Sequence, residues 1–230
     1  LLGDVRDYIV KKYGAEVGVI VEEHVETTAS ILNTIRRLND DESVHGIIVQ
    51  LPLSDETQTE TVLQSVRSTK DVDGLSIDSL FDAATPIAIN WLLTGYNVEL
   101  KGKRIVIVGN GRLVGEPLNK MWLNSGLQPF VVDAETANKE DQIAQADVIV
   151  TAVGKPALIS SELVKYDAVV VDAGVASEKG VLKGDVADDV FERQDITITP
   201  KKGGVGPLTV CALFDNVIRA AYKTTQKDAE

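Results

Sequence analysis

An α/β fold with two domains is what this sequence predicts, and three observations predict it. Short runs rich in Val and Ile alternate with stretches of helical periodicity along the whole chain. The runs are almost continuously apolar, as strands read when a parallel sheet is covered on both faces. The alternation also comes as two series, one on each side of a helical stretch at 85–96. We therefore expect a first α/β domain over 1–88 and a doubly wound parallel sheet over 89–206.

In the first series, "VGVIV" (17–21) and "GIIVQL" (46–51) read as strands flanking a helix. Ile31, Leu32, Ile35 and Leu38 recur in that helix at the spacing of a single face. Val62, Leu63 and Val66 within the polar stretch 54–71 suggest a second, short helix. The helix at 85–96 opens with Thr85 as the expected N-cap and Pro86 at the first helical position.

Five candidate strands make the second series: "RIVIVG" (104–109), "FVVD" (130–133), "DVIVTAVG" (147–154), "AVVVDAG" (168–174) and "DITITP" (195–200). A helix at 114–125 is closed by Gly126 just past its end. In the last helix, "PLTVCALFDNVIRAAY" (207–222), Val210, Leu213, Phe214, Val217 and Ile218 form one stripe, and Cys211 reads as core.

Charge narrows the function. The net charge of −12, from 35 acidic and 23 basic side chains, would repel nucleic acid and anionic membranes. No apolar run approaches the ~20 residues of a membrane span, and no signal-peptide pattern is present, so a cytoplasmic protein is expected. A single cysteine excludes an intrachain disulfide. His24 and His45 lack metal-ligand spacing, and no metal is expected. Because the sequence opens at Leu1 inside an apparent strand, an N-terminal segment is expected to precede it.

The strongest local signal is "IVIVGNGRLVGEPL", a buried strand running into Gly109, Gly111 and Gly115 and then a helix. Glycine lets the backbone turn sharply and approach a pyrophosphate, whose charge sits at the helix N-terminus. The spacing is one residue longer than the usual dinucleotide fingerprint, and a plain strand–helix turn is the bland alternative. Asp133 ends the next strand, where an acidic residue would meet the adenosine ribose. Gly154 stands at the end of a third strand.

In the first half, Tyr8 and Lys12 share a helix face if the segment is helical, Gln50 ends an apolar run, and Asp71-Val72-Asp73-Gly74 follows. Each has an ordinary structural explanation when taken alone.

In order, Tyr8-x-x-x-Lys12, "VQLPL" (49–53), "DVDG" (71–74), the glycine loop, "VGKP" (153–156) and "GGVGPLT" (203–209) resemble the methylenetetrahydrofolate dehydrogenase/methenyltetrahydrofolate cyclohydrolase family. The resemblance implies an N-terminal catalytic domain and a Rossmann-like dinucleotide domain, with folate held between them. It also implies that the last helix, 207–224, completes the first domain. Lys201-Lys202 stands where the family carries an apolar residue and a proline.

By resemblance, Lys12 is the general acid/base of the cyclohydrolase step, Gln50 orients it, and Asp73 grips the pterin ring. Tyr8, Val49, Leu51, Pro52, Gly203, Gly204 and Pro207 would bind substrate. The cofactor would lie on Gly109, Asn110, Gly111, Arg112, Val114, Gly115, Asp133, Ala134, Val153, Gly154 and Val175. A lysine near its reference pKa of about 10.4 is a poor base at neutral pH, so burial or substrate cation must lower it. Either NAD or NADP fits the family. NAD is expected here, because Asn110 takes the place of an arginine and Asp133 would repel a 2′-phosphate. Tetrahydrofolate derivatives are the expected substrates and a homodimer the expected assembly. Two alternatives stay open from the residues alone: another NAD(P)-dependent dehydrogenase, and a degenerate, non-catalytic dinucleotide-binding member of the family.

Overall fold

A computed structural model of the chain describes residues 11–178 and 181–227. Two compact units emerge, one made of Leu1–Ala84 with Val210–Glu230 and the other of Thr85–Thr209.

The first unit is built around α1 (Ile31–Asp40) and α2 (Thr59–Gln64), with residues 11–16 also helical. Ile35 of α1 and Val62 and Leu63 of α2 close on Ile47, Val49 and Val66, with Ile31, Leu32, Leu38 and Leu51 around them. Lys70 caps α1 from outside, donating to the carbonyls of Leu38 at 2.9 Å and Asp41 at 2.6 Å. Those carbonyls have no partner inside the helix, and a cation also suits the negative end of its dipole. Burial pulls the Lys70 ammonium below its ordinary pKa.

The expected strands at 17–21 and 46–51 do not form. Among the described residues only one parallel bridge, Ile47 to Asp71, joins the latter segment to a neighbour. Residues 19–26 run without regular structure, and Ile20 and Val25 are 89% and 90% exposed. An apolar β-branched run favours extended backbone, but a strand also needs a partner edge, which sequence pattern cannot supply.

The second unit is a five-stranded parallel sheet in the order β2-β1-β3-β4-β7. Its strands are β1 (Ile105–Val108), β2 (Phe130–Val132), β3 (Val148–Thr151), β4 (Val169–Asp172) and β7 (Thr197–Ile198), matching the five apolar runs. Both faces are buried, with the strand period of two dividing them. Ile105, Ile107, Val148 and Val150 pack with Ile89, Leu93, Leu118 and Trp122 on one side, while Val106, Val108, Ile149 and Val170 pack with Ile143 and Val190 on the other. This double burial is why the runs lack polar alternation.

Helix α3 (Ala84–Gly95) begins two residues ahead of the expected first helical position, so Thr85 lies inside it rather than capping it. Pro86 is tolerated because no N–H of the first turn has a partner within the helix. Helix α4 (Gly115–Asn124) ends as the sequence indicates. Gly126 has φ of 81°, its N–H bonds to Leu123, and Leu127 N–H reaches back to Trp122 at 2.9 Å, the paired closure of a glycine-ended helix. Helix α5 (Lys139–Ala144) links β2 to β3. A small antiparallel pair, β5 (Ala176–Glu178) and β6 (Val181–Lys183), was not foreseen, being too short and polar for a strand pattern.

The last helix, α6, runs over Val205–Lys227. Ala212, Leu213, Phe214, Asn216 and Ala220 carry its buried face. Cys211 is exposed, contrary to its expected place in the core: one residue on a helix turns about 100°, enough to leave the buried stripe. Among the described residues, no helix is long and apolar enough to cross a membrane.

Candidate active site

In the first unit the segment Lys70-Asp71-Val72-Asp73-Gly74 divides its labour residue by residue. Lys70 caps α1 as described. The Asp71 carboxylate accepts from the N–H and hydroxyl of Ser76, both at 2.7 Å, and is thereby committed to the turn. Val72 is fully buried, fitted against Gly46, where an added Cβ would come within 2.8 Å of it. Gly74 has φ of 71°, and a Cβ there would stand 2.6 Å from the backbone of Asp82 and Ala83. Asp73 is buried, 7% exposed.

Asn216 holds this turn from 144 residues away. Its side-chain amide donates to the Val72 carbonyl at 2.9 Å and the Asp82 carbonyl at 3.0 Å, so one group clamps both strands of the loop. Sequence reading missed Asn216. A polar residue inside an apolar helical stripe was the available signal.

The Ile47–Asp71 bridge joins the segment that ends in Gln50 to the turn at one point. Val49 is buried in the core, and Gln50 is half-buried at the end of its segment. Gln50 Nε2 donates to the Leu51 carbonyl at 3.2 Å, while Oε1 is buried without a hydrogen-bond partner among the described residues. Leu51 meets Pro52 through a cis peptide bond. Lys12 is exposed, its ammonium 5.3 Å from the centre of the Tyr13 ring. Among the described residues no hydrogen bond joins Lys12 to Gln50 or Asp73. Tyr8 lies outside the described residues.

The second unit carries the other group of candidates. The chain passes from β1 to β2 on one side and returns through β3 on the other, so the strand order reverses between β1 and β3. Ligands of such sheets sit at the strand ends beside that reversal. Gly109 follows β1 directly, with φ of 100° and its N–H on the Val132 carbonyl at 2.7 Å. A Cβ on Gly115 would fall 1.9 Å from the Gly109 carbonyl oxygen, and one on Gly109 would fall 2.9 Å from the Ala152 carbonyl. No other residue type fits at either point.

Val114 precedes α4 and has no side chain able to cap it, so the N-terminal amides receive no side-chain acceptor from that position. Pro117 stands within the first turn. The Glu116 N–H is taken by the Gly111 carbonyl at 3.1 Å and Pro117 has none, so it is the side-chain-free glycine loop, more than the helix amides, that fits a pyrophosphate. Asn110, Gly111 and Arg112 line the loop and are exposed.

Asp133 follows β2, whose register sets Val132 beside Val108 and so brings Asp133 level with the glycine loop. Its carboxylate accepts from the Thr136 hydroxyl at 2.6 Å and the Glu135 N–H at 3.1 Å. The Thr136 hydroxyl is the main cause holding its pKa below the ordinary aspartate value. Ala134 beside it is exposed.

At the end of β3, Val153 is exposed and Gly154 has φ of 76°, its Cα facing the Val175 carbonyl, which an added Cβ would approach to 3.1 Å. Gly203, with φ of 78°, Gly204 and Pro207 belong to the same unit at the start of α6. Lys201 in that loop is held by Asp188 at 2.5 Å and over the Phe191 ring.

Comparison with known proteins matches these two halves separately. Residues 8–73 match the tetrahydrofolate dehydrogenase/cyclohydrolase catalytic domain, and residues 83–225 match the NAD(P)-binding domain of the same family. The chain belongs to the tetrahydrofolate dehydrogenase/cyclohydrolase family. The bifunctional protein FolD of Staphylococcus saprophyticus is 36% identical to it, over 91% of this chain and 79% of that protein. The crystal structure of the bifunctional FolD enzyme from Campylobacter jejuni matches with a TM-score of 0.88 and 35% identity, over 96% of this chain and 84% of that one. The Trypanosoma brucei FolD, solved with NADP cofactor and inhibitor, also gives 0.88, at 29% identity over 97% and 83% of the two chains. Membership of the tetrahydrofolate dehydrogenase/cyclohydrolase family removes the alternative of an unrelated dehydrogenase.

Proposed function

We propose that the chain oxidises 5,10-methylenetetrahydrofolate to 5,10-methenyltetrahydrofolate with a nicotinamide cofactor and hydrolyses that product to 10-formyltetrahydrofolate. The observation that carries this reading is the match of one chain to both family domains, with a glycine cradle suited to a dinucleotide in the second. We assign the first unit to folate chemistry and the second to the cofactor.

In the first unit, Asp73 accepts hydrogen bonds from the amino and ring N–H groups of the pterin. Tyr8 offers an aromatic face, and Val49, Leu51 and Pro52 form apolar walls. Gln50 carries a buried acceptor, Oε1, able to take a hydrogen bond from the Lys12 ammonium and fix its direction. Lys12 moves the protons of the hydrolytic step. Because it is exposed, the desolvation such chemistry requires comes from the bound substrate, whose methenyl cation also disfavours a charged lysine. Gly203, Gly204 and Pro207, although they belong to the second unit, are assigned to substrate by the family resemblance.

In the second unit Gly109, Asn110, Gly111, Arg112, Val114 and Gly115 hold the pyrophosphate, Asp133 and Ala134 the adenosine ribose, and Val153, Gly154 and Val175 the nicotinamide side. When bound, the nicotinamide accepts the hydride leaving the methylene carbon. The residues around it contribute alignment rather than acid–base catalysis.

NAD is the preferred cofactor in this reading. Asp133 is held ionised beside the glycine loop, where a carboxylate accepts from a ribose hydroxyl and repels a phosphate of about two negative charges. The working form is a cytoplasmic homodimer, which light scattering tests directly. Steady-state assays of the purified chain with methylenetetrahydrofolate and each cofactor test the whole. Folate-dependent reduction of neither cofactor would overturn the function, and a preference for NADP would overturn the cofactor assignment alone.

A further inference from the structure

Two aspartates in the second unit, one buried and one half-buried, are not used by the chemistry above. Asp185 is fully buried, and its carboxylate accepts from the Thr151 hydroxyl, the Val153 N–H and the Lys155 N–H, each at 2.7 Å. These donors straddle Gly154 at the end of β3. The Asp172 carboxylate in turn accepts from the N–H groups of Gly174 at 3.0 Å and of Asp185 and Val186, both at 3.1 Å. Asp172 thus holds the segment that carries Asp185, and Asp185 holds the loop that carries Gly154.

Two glycines make room for this relay. A Cβ on Gly174 would lie 2.1 Å from Asp185 Cγ, and one on Gly184 would lie 2.0 Å from an Asp172 oxygen. The donors are one hydroxyl and five main-chain N–H groups, none of them a charged side chain. Burying carboxylates is costly, and apolar side chains of similar volume commonly serve a core as well. What an apolar side chain cannot do is accept from the 153 and 155 amides, which lie past the last ladder pair of β3, Thr151 with Asp172.

We infer that Asp185 is a positioning residue for the nicotinamide side of the cofactor site, fixing the Val153–Lys155 backbone through its two amides. The inference rests on the assignment of Val153 and Gly154 to the cofactor site. In a sheet of this order the adenosine half lies toward β2 and the nicotinamide half toward β3 and β4, so the loop that Asp185 holds belongs to the second half.

Asp185→Asn preserves shape but turns an amide NH2 toward N–H donors. In the full-length chain, exchange of the Val153 and Lys155 amides in the absence of ligand should accelerate about tenfold or more, as loss of a charge-assisted bond implies. Affinity for reduced NAD, read by fluorescence titration, should fall about tenfold, while affinity for ADP, which reports the adenosine half alone, stays within about twofold. Exchange that does not accelerate would overturn the inference at the carboxylate. Accelerated exchange with unchanged affinity for reduced NAD would overturn it at the site assignment. Parallel losses for NAD and ADP would reduce Asp185 to a general structural role and overturn it too. If Asp185→Asn does not fold, Thr151→Val removes one donor to the same carboxylate. It is read in the same three ways, and Thr151→Ser should restore the wild-type values.

Discussion

Replacing Gly115 with alanine tests the glycine cradle at its tightest point. The new Cβ would begin 1.9 Å from the Gly109 carbonyl oxygen, and such contacts do not form below 3.0 Å, so one partner must move by at least 1.1 Å. Gly109 has little freedom to give way. Its N–H is bonded to Val132 at 2.7 Å, and a movement of 1.1 Å directed away would stretch that bond to 3.8 Å, beyond hydrogen-bond range. Strain of this kind in a packed site costs about 1–3 kcal/mol, a fall of a few degrees in Tm for a chain of this size. A displacement of about 1 Å at the pyrophosphate site should lower kcat/KM for NAD roughly 100-fold. Dehydrogenase activity should therefore fall far more than hydrolysis of the methenyl compound, which consumes no cofactor. Gly111→Ala supplies the contrast, because nothing lies within 4 Å of its Cβ, and it should leave Tm unchanged. Steady-state kinetics with NAD as the varied substrate, together with calorimetry, decide the matter. An unchanged kcat/KM for NAD in Gly115→Ala would refute the assignment of this loop to the cofactor.

Three further outcomes are expected. Asp73→Asn should weaken folate binding and both activities together by about tenfold or more, because the pterin donors lose a charged acceptor; equilibrium titration with a folate analogue checks this, and unchanged affinity would leave Asp73 a turn residue only. Lys12→Met should lower cyclohydrolase activity by roughly two orders of magnitude, read from hydrolysis of the methenyl compound, and near-normal hydrolysis would remove Lys12 from the mechanism. Asp147, whose pKa is lowered chiefly by its hydrogen bond from the Lys165 ammonium at 2.5 Å and also by the Arg104 N–H, contributes stability present above the unfolded aspartate pKa. That contribution is lost as pH falls through the lowered folded value, so Asp147→Asn should flatten the acid limb of stability against pH in urea titrations.

The second unit was legible in the sequence because local pattern and tertiary role coincide there. The Val/Ile runs at the centre of the sheet had to be buried on both faces, and Gly126 was needed at a helix end whatever surrounded it. The first unit was less legible. Residues 17–21 have the composition of a strand, yet whether extended backbone becomes a strand depends on a neighbouring edge that composition does not encode. Asp73 was singled out by the family resemblance, whereas the use of its neighbour Asp71, whose carboxylate is taken by Ser76, could only be seen in the structure. Asn216, Asp172 and Asp185 were overlooked for a common reason. Apart from the Thr151 hydroxyl, their partners are main-chain atoms, which carry no residue signature, and those of Asn216 and Asp185 lie far away in sequence.

The first unit is discontinuous: Asn216, in α6, closes the turn at Val72 and Asp82, while the whole of the second unit intervenes in the chain. On the ribosome this reverses the usual order of maturation. Residues 85–209 form a continuous segment and can complete their sheet during synthesis, whereas residues 11–84 must wait for α6 to leave the exit tunnel. Until then the Val72 and Asp82 carbonyls lack their donor, and the apolar side chains that α6 covers stay open to solvent and to chaperones. Truncation ahead of Asn216 would therefore leave the second unit complete and the first without the donor that closes its turn.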